Sequence, residues 1–227
     1  MRDFLQERTL RLAIPWAIIF TLGSLPRIQQ GPFPDTFWFM ASFAFFVLTL
    51  AMGACIAWGD KGGMRGFWPP GFWRARPVAI TAAIGVLVAL ILALFDLPLQ
   101  RALQEAGLED LEELSYPRNW SAWIALLLWN ISFTSIFFTC AGMAVFSRVI
   151  RSWKIALVVV AVLRLCGSYY RLEAYDLMHL WPVATVTTLT YALSSGWLFA
   201  RYGFPAVAML AIFSAFRHLL GPFFGTE

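Results

Sequence analysis

Charged residues are scarce in this chain of 227 residues: they make up 13% of it, beside two histidines and three cysteines. Soluble domains carry roughly 25% charged residues, so the composition excludes an ordinary soluble fold, whose surface needs more polar side chains. The hydrophobic share is 60% and the mean hydropathy is +0.70. Eleven tryptophans and 21 phenylalanines fit the aromatic belts of a lipid-embedded protein. The sequence therefore predicts an integral membrane protein.

The distribution of bases and cysteines excludes two further classes. The bases lie as short flanks of apolar runs and form no stripe that would follow phosphates, so no nucleic-acid partner is predicted. Cys55, Cys140 and Cys166 fall inside apolar segments without metal-ligand spacing. They are predicted to be small buried side chains, not metal ligands or disulfides. No cofactor is predicted, although a bound lipid or pigment is compatible with the aromatic content.

Seven apolar segments predict an all-α, polytopic membrane helix bundle that forms one domain over residues 1–227. They are Leu12–Leu25, Thr36–Trp58, Val78–Phe95, Trp120–Phe146, Ile155–Tyr170, Trp181–Phe199 and Phe204–Leu220.

Three hydrophilic stretches complete this layout. Residues 1–11 form a charged N-terminal segment, and Gly59–Pro77, rich in Gly, Pro, Trp and bases, is predicted to be a loop at the level of the lipid headgroups. Residues 96–118 alternate leucines with acids, which predicts a short amphipathic helix on the membrane surface, broken near Gly107.

The bases predict the orientation of the bundle. Most of them fall in the segments that this scheme places on the same side as the N-terminus, whereas the opposite side carries the acids of 96–113. The positive-inside rule then predicts a cytoplasmic N-terminus and an outside C-terminus.

The stretch Arg171–Phe224 and the span before it carry phrases of a known family. Tyr175-Asp-Leu-Met-His179 has the spacing aromatic-xxx-His, and Gly196-Trp-Leu-Phe-Ala-Arg-Tyr-Gly203 precedes a last helix that contains Ala211-Ile-Phe-Ser-Ala-Phe216. In these phrases, and in the layout of residues 120–224, the chain resembles the bacterial CAAX-protease and bacteriocin-processing family of intramembrane proteases (CPBP, also called Abi). That resemblance implies a helical membrane core in which polar side chains converge to activate a water.

The resemblance also indicates that the catalytic set is degenerate. Thr134 and Ser135 stand where the family's EExxxR motif has its glutamates, and Thr139 stands where it has its arginine. His179 matches the histidine of the second motif. In the last motif, Ile212 replaces the histidine and Phe216 the Asp or Asn. A Thr/Ser pair is no general base near neutral pH, so the activity of the family is not expected here. The resemblance implies that the following positions are vestigial: Thr134, Ser135, Thr139, Tyr175, His179, Ile212 and Phe216.

Arg164 is the costliest polar residue, because an arginine within a span must face protein or water and needs a partner. Glu173, Asp176 and His179 follow it, and the spacing of Asp176 and His179 predicts a shared helix face. An internal polar network of these four residues is the favoured interpretation. A metal or proton site formed by Asp176 and His179, with or without His218, is the alternative, but it lacks a defined third ligand.

These observations leave three hypotheses for function. The first is a catalytically inactive CAAX-protease-like protein that serves as a scaffold or accessory subunit of a bacterial inner-membrane complex, with lipids and other transmembrane proteins as partners. The second is a divergent intramembrane metalloprotease that uses His179 with Glu173 or Asp176. The third is a small transporter with Arg164 and His179 along its path.

Overall fold

A computed structural model describes residues 7–29, 36–108 and 115–220. The regular structure of these residues is entirely helical, which confirms the predicted all-α bundle. The principal helices are α1 (Glu7–Gln29), α2 (Phe37–Trp58), α3 (Ala75–Glu105), α4 (Trp120–Ile150), α5 (Trp153–Ala174), α6 (Trp181–Tyr202) and α7 (Phe204–Phe216). A short 3₁₀ turn follows α7 at Arg217–Leu220.

Five helices, α1 to α5, are long and apolar enough to cross a membrane. At 1.5 Å per residue, the 22 residues of α2 extend about 33 Å, which matches a hydrocarbon core of about 30 Å. Two other helices differ in composition or length. Helix α6 also has 22 residues, but threonines and serines make its sequence less apolar. Helix α7 is apolar but shorter. The chain is therefore a membrane-integral helical bundle.

Helix α4 is the central element of the bundle. Its middle third, Asn130–Ala141, has π-helical geometry, and it packs against α2, α6 and α7. Ile136 and Cys140 are completely buried there. Helix α5 lies at the periphery, because only 17% of its most apolar stretch is buried, whereas 44% of the corresponding stretch of α4 is buried.

Local signals explain where several helices begin and end. The Asn119 side chain accepts a hydrogen bond from the Ala122 amide over 2.9 Å at the start of α4, as an N-cap does. Pro182 and Pro205 occupy the first turns of α6 and α7, where a missing amide hydrogen costs nothing. Gly203, with φ of 73°, separates the two helices.

The predicted surface excursion over 96–118 differs from its prediction where the structure describes it. Asp96–Glu105 continues α3 without a break, although Pro98 lies inside the helix. Gln100 and Ala102 are 5% and 9% exposed, so this part of the helix packs on the bundle. The helix ends just before Gly107, as predicted, and residues 109–114 lie outside the described part.

The loop between α2 and α3 also differs from a simple surface loop. Met64 and Phe72 are buried in it, and the Phe67 carbonyl accepts a hydrogen bond from the Phe204 amide over 2.8 Å. The rings of Phe67 and Phe204 stack with centroids 4.9 Å apart. The loop therefore closes the bundle at the junction of α6 and α7. The predicted N-terminal segment is described only from Glu7 onwards.

Candidate functional site

Five polar side chains meet in the middle of the bundle, and they are called here the midplane cluster: Ser135, Thr139, Arg164, Tyr191 and Ser195. Arg164 is the twelfth of 22 residues in α5, and Tyr191 is the eleventh of 22 in α6. Both positions are near the centre of their helices, where polar side chains are costly and are functional candidates by default.

Hydrogen bonds join the cluster across three helices. The Arg164 Nη1 donates to the Thr139 Oγ1 over 3.2 Å. The Thr139 and Ser195 hydroxyls lie 3.4 Å apart, as do the hydroxyls of Ser135 and Tyr191. The Arg164 guanidinium also lies over the Tyr191 ring, 5.2 Å from its centroid, in a cation–π contact. The cluster thus ties α4, α5 and α6 together.

The π-helical geometry of α4 places its hydroxyls in this arrangement. Thr139 Oγ1 donates to the carbonyl of Thr134, five residues earlier, over 3.1 Å. Thr134 in turn donates to Asn130 Oδ1 over 3.3 Å. Wider turns of this kind are rare and often occur at functional sites. Here they bring Ser135 and Thr139, both fully buried, onto the side of α4 that faces α6.

The chemistry available to this cluster is limited by its residue types. It comprises one guanidinium, one phenol and three aliphatic hydroxyls, and none of these is a general base near neutral pH. The hydroxyls already bond to one another or to the guanidinium. The arrangement is suited to holding helices together and to retaining one buried positive charge.

The four residues predicted to form a polar network are not brought together. Glu173 lies nine residues beyond Arg164 on α5, about 14 Å along the helix axis, and it is exposed, as are Asp176 and His179. Within the described residues, Arg164 contacts Thr139 and Tyr191 and forms no ion pair with an acid. The predicted network does not form because Glu173 is too far along α5 from Arg164, and because α4 and α6 supply the contacts of Arg164 instead.

The predicted shared helix face of Asp176 and His179 is also not seen. Helix α5 ends at Ala174, and Asp176 has φ of 57°, in the left-handed region. His179 belongs to a separate 3₁₀ turn, Met178–His179–Leu180. An i, i+3 pairing requires continuous helix, and the turn interrupts it.

The remaining motif positions lie apart from the midplane cluster. Ile212 and Phe216, on α7, are 37% and 46% exposed. The ring of Phe216 contacts that of Trp123 at 5.5 Å. Tyr175 is 41% exposed and lines a cavity at one end of the bundle. Only Ser135 and Thr139 of the vestigial set take part in the midplane cluster.

A cavity of about 210 Å³ opens at one end of the bundle and is called here the end cavity. It lies where α3, α5 and α7 end and where α6 begins. Its lining comprises Leu92, Asp96, Leu99, Leu103, Ser115, Tyr116, Arg171, Leu172, Tyr175, Leu177, Leu180, Thr187 and Arg217.

An ion pair forms one wall of this cavity. Arg217 Nε donates to Asp96 Oδ2 over 2.9 Å, and the two side chains are 18% and 21% exposed. Arg217 Nη1 also donates to the Ser214 carbonyl. Beside this wall, His218 is 7% exposed, and its ring meets the Tyr116 ring edge-on at 5.8 Å.

Sequence reasoning missed two of these groups. One is Tyr191, which lies among the threonines and serines of α6. It precedes Ser195 by four residues, and this spacing indicates that the two hydroxyls share a helix face. Asp96 and Arg217 are 121 residues apart in sequence, so no local pattern indicates their pairing.

Among the described residues, no group of three or more His, Cys, Asp and Glu side chains is placed to hold a metal ion together. No family model, no curated protein and no solved structure matches the chain.

Proposed function

We propose that this chain is a non-catalytic subunit of a larger assembly in a bacterial inner membrane, built on the layout of the CAAX-type intramembrane proteases. One observation carries the proposal. Ser135 and Thr139, which occupy positions of that family's first motif, are buried and hydrogen-bonded to Tyr191, Ser195 and Arg164.

The physical argument concerns what such a site needs. Activating a water for peptide hydrolysis takes a carboxylate, an imidazole or a metal to accept the proton, and donors to stabilise the oxyanion. In the midplane cluster the hydroxyls satisfy one another and a guanidinium instead. His179, the motif histidine, is exposed in the turn before α6. The site favours a structural role over hydrolysis.

The outer face of α5 is the surface that we propose for contact with other transmembrane helices. Leu163 and Tyr170, four residues before and three after Gly167 and so on one side of the helix, are 54% and 73% exposed. Gly167 is exposed on the same helix, and a Cβ added there would meet nothing within 4 Å. No packing among the described residues requires a glycine at that position, whereas small residues allow the close approach of a second helix.

In this proposal the bundle keeps the orientation that its bases predict, with the N-terminus in the cytoplasm. The loop that carries Lys61, Arg65, Arg74 and Arg76 then faces the cytoplasm, and the end cavity faces outwards. The positive-inside rule supports this assignment.

The test is mild native purification followed by mass spectrometry of the proteins that co-purify. We expect a defined set of membrane proteins with the wild-type chain. Gly167→Leu should deplete that set, because its side chain projects into the space where a partner helix would pack. Ala83→Leu, at an exposed position on α3, is the matched control and should retain the partners.

Two outcomes would reject the proposal. One is a monodisperse wild-type protein without partners in every mild detergent tested. The other is cleavage of a membrane peptide by the purified wild-type chain that is lost in His179→Ala, which would establish the protease alternative.

A transport path is a second candidate, and one observation favours it. Thr187 lines the end cavity, and the next residue, Thr188, bonds to Ser168 over 2.9 Å. Ser168 and Arg164 are one turn apart on α5. These hydroxyls lead from the end cavity towards the midplane. The test is solute flux into vesicles reconstituted with the wild-type chain or with Arg164→Met. Flux that is lost in the variant would support this candidate, and equal flux with the two proteins would reject it.

A further inference from the structure

The end cavity lies at the level where several helices leave the membrane. Arg171 and Leu172 are near the end of α5, Leu180 immediately precedes α6, and Arg217 directly follows α7. Tyr116 and Tyr175 add two phenols, which are typical of the membrane–water interface. A ligand here would have one part at the water and another in the lipid.

The described residues that line the cavity carry more positive than negative charge. Asp96 is the one acid among them, and its Oδ2 already accepts from Arg217 Nε over 2.9 Å. Arg171 is exposed and has no ion-pair partner among the described residues. One of the two guanidinium groups is therefore not compensated by a carboxylate. A phosphate or carboxylate group suits such a site, since it accepts charge-assisted hydrogen bonds from arginine.

The opposite wall of the cavity is apolar. Leu92, Leu99 and Leu103 repeat at spacings of seven and four residues, which places them on one face of α3. Leu90 and Leu94 of the same helix, 61% and 74% exposed, lie on the side of α3 that is turned away from the cavity. The leucine wall therefore offers an apolar surface to the part of a lipid that adjoins its headgroup.

We propose that the end cavity binds the phosphate of a membrane phospholipid, with the apolar atoms next to its headgroup against the leucine wall of α3. Its volume of about 210 Å³ is below the roughly 300–1,000 Å³ of pockets that enclose a whole ligand. It accommodates a headgroup and leaves the chains outside. This site is independent of the partner surface on α5 and of the midplane cluster.

The experiment is native mass spectrometry of the full chain released from nanodiscs of phosphatidylethanolamine and phosphatidylglycerol. We expect one phospholipid to stay bound to the wild-type chain under collision conditions that remove the lipid belt. Arg171→Gln should weaken retention about tenfold through loss of a charge-assisted contact. Thr187→Phe should abolish retention by filling the cavity. Among the described residues, the Thr187 hydroxyl bonds only to carbonyls of its own helix, so this second variant is expected to fold.

Arg148→Gln is the matched control, because Arg148 is an exposed arginine at the other end of the bundle. It should retain the lipid as the wild type does. Equal retention by all four proteins would mean an adventitious lipid belt only and would overturn the proposal. Preferential binding of added oleate, or displacement of the lipid by millimolar inorganic phosphate, would overturn the phospholipid as the source of the anion.

Discussion

The Arg164 guanidinium donates to the Thr139 hydroxyl over 3.2 Å, between the centres of two packed helices. A buried cation ordinarily pairs with a carboxylate, yet here a hydroxyl and the Tyr191 ring are its contacts among the described residues. A hydroxyl on α4 thus receives the positive charge that α5 carries.

The first prediction concerns this contact. Thr139→Val removes the acceptor and leaves the Arg164 charge with the Tyr191 ring alone. We expect a loss of about 1–3 kcal/mol in the free energy of unfolding, the cost of a buried donor that loses its partner. The measurement is reversible unfolding in mixed micelles.

Thr188→Val is the control for Thr139→Val, because it removes the neutral Ser168–Thr188 hydrogen bond of 2.9 Å between α5 and α6. Neutral interhelical bonds contribute about 0.6 kcal/mol in membranes, so this variant should lose less. The double variant Thr139→Val with Arg164→Met should regain stability relative to Thr139→Val. Equal losses for the two threonines would contradict the special role of Arg164.

Much of the fold could be predicted from sequence because a bilayer leaves the backbone few choices. An apolar segment must satisfy its own amides and carbonyls, so a run such as Thr36–Trp58 predicts a helix directly. In the structure Asn119 and Gly203 lie at helix boundaries. Signals of this kind are local, and the structure confirms the all-α bundle that the apolar segments predict.

The arrangement of the site depended on information that a single helix does not contain. The sequence pattern predicts that Arg164 pairs with acids further along its own segment, whereas its contacts in the structure come from α4 and α6. Which helices surround α5 follows from packing of the whole bundle. The packing of the loop between α2 and α3 could not be predicted for the same reason. Phe67 in this loop stacks on Phe204, which is 137 residues away in sequence.

The second prediction concerns Gly203, the glycine that ends the phrase Gly196–Gly203. Its φ is 73°, in a region that side chains rarely adopt, and an added Cβ would lie 2.7 Å from the Phe67 carbonyl oxygen. Gly203→Ala should therefore destabilise the protein by about 1–3 kcal/mol and loosen the loop that packs on α7. Thermal unfolding in detergent is the measurement.

Gly167→Ala provides the comparison for Gly203→Ala. Gly167 lies inside α5, and a Cβ there meets nothing within 4 Å. Since alanine is favoured over glycine within a helix by about 0.5–1 kcal/mol, this variant should be as stable as the wild type or more so. A Gly203→Ala protein with wild-type stability would refute the backbone argument.

The third prediction concerns the ion pair that joins the ends of α3 and α7. Asp96→Asn removes the charge that Arg217 contacts over 2.9 Å in a mostly buried wall. We expect a loss of about 1–3 kcal/mol, measured by unfolding at two salt concentrations. Asp60→Asn is the control, because the Asp60–Lys61 pair has side chains that are 63% and 44% exposed. Exposed pairs contribute at most about 1 kcal/mol, and a larger loss there than at Asp96 would contradict the assignment.

The fourth prediction concerns orientation in the membrane. Arg148, near the end of α4, and Arg171, near the end of α5, are both exposed, and the single crossing of α5 puts them on opposite sides. In a background without Cys55, Cys140 and Cys166, Arg171→Cys should react with an impermeant maleimide in intact spheroplasts. Arg148→Cys should react only after the membrane is opened, because the positive-inside rule keeps the basic end in the cytoplasm. The cysteine-free chain controls for background labelling.

Labelling in the reverse order would mean that the bundle is inverted and that the end cavity is at the cytoplasmic surface. Labelling of both positions from one side would rule out a single crossing by α5.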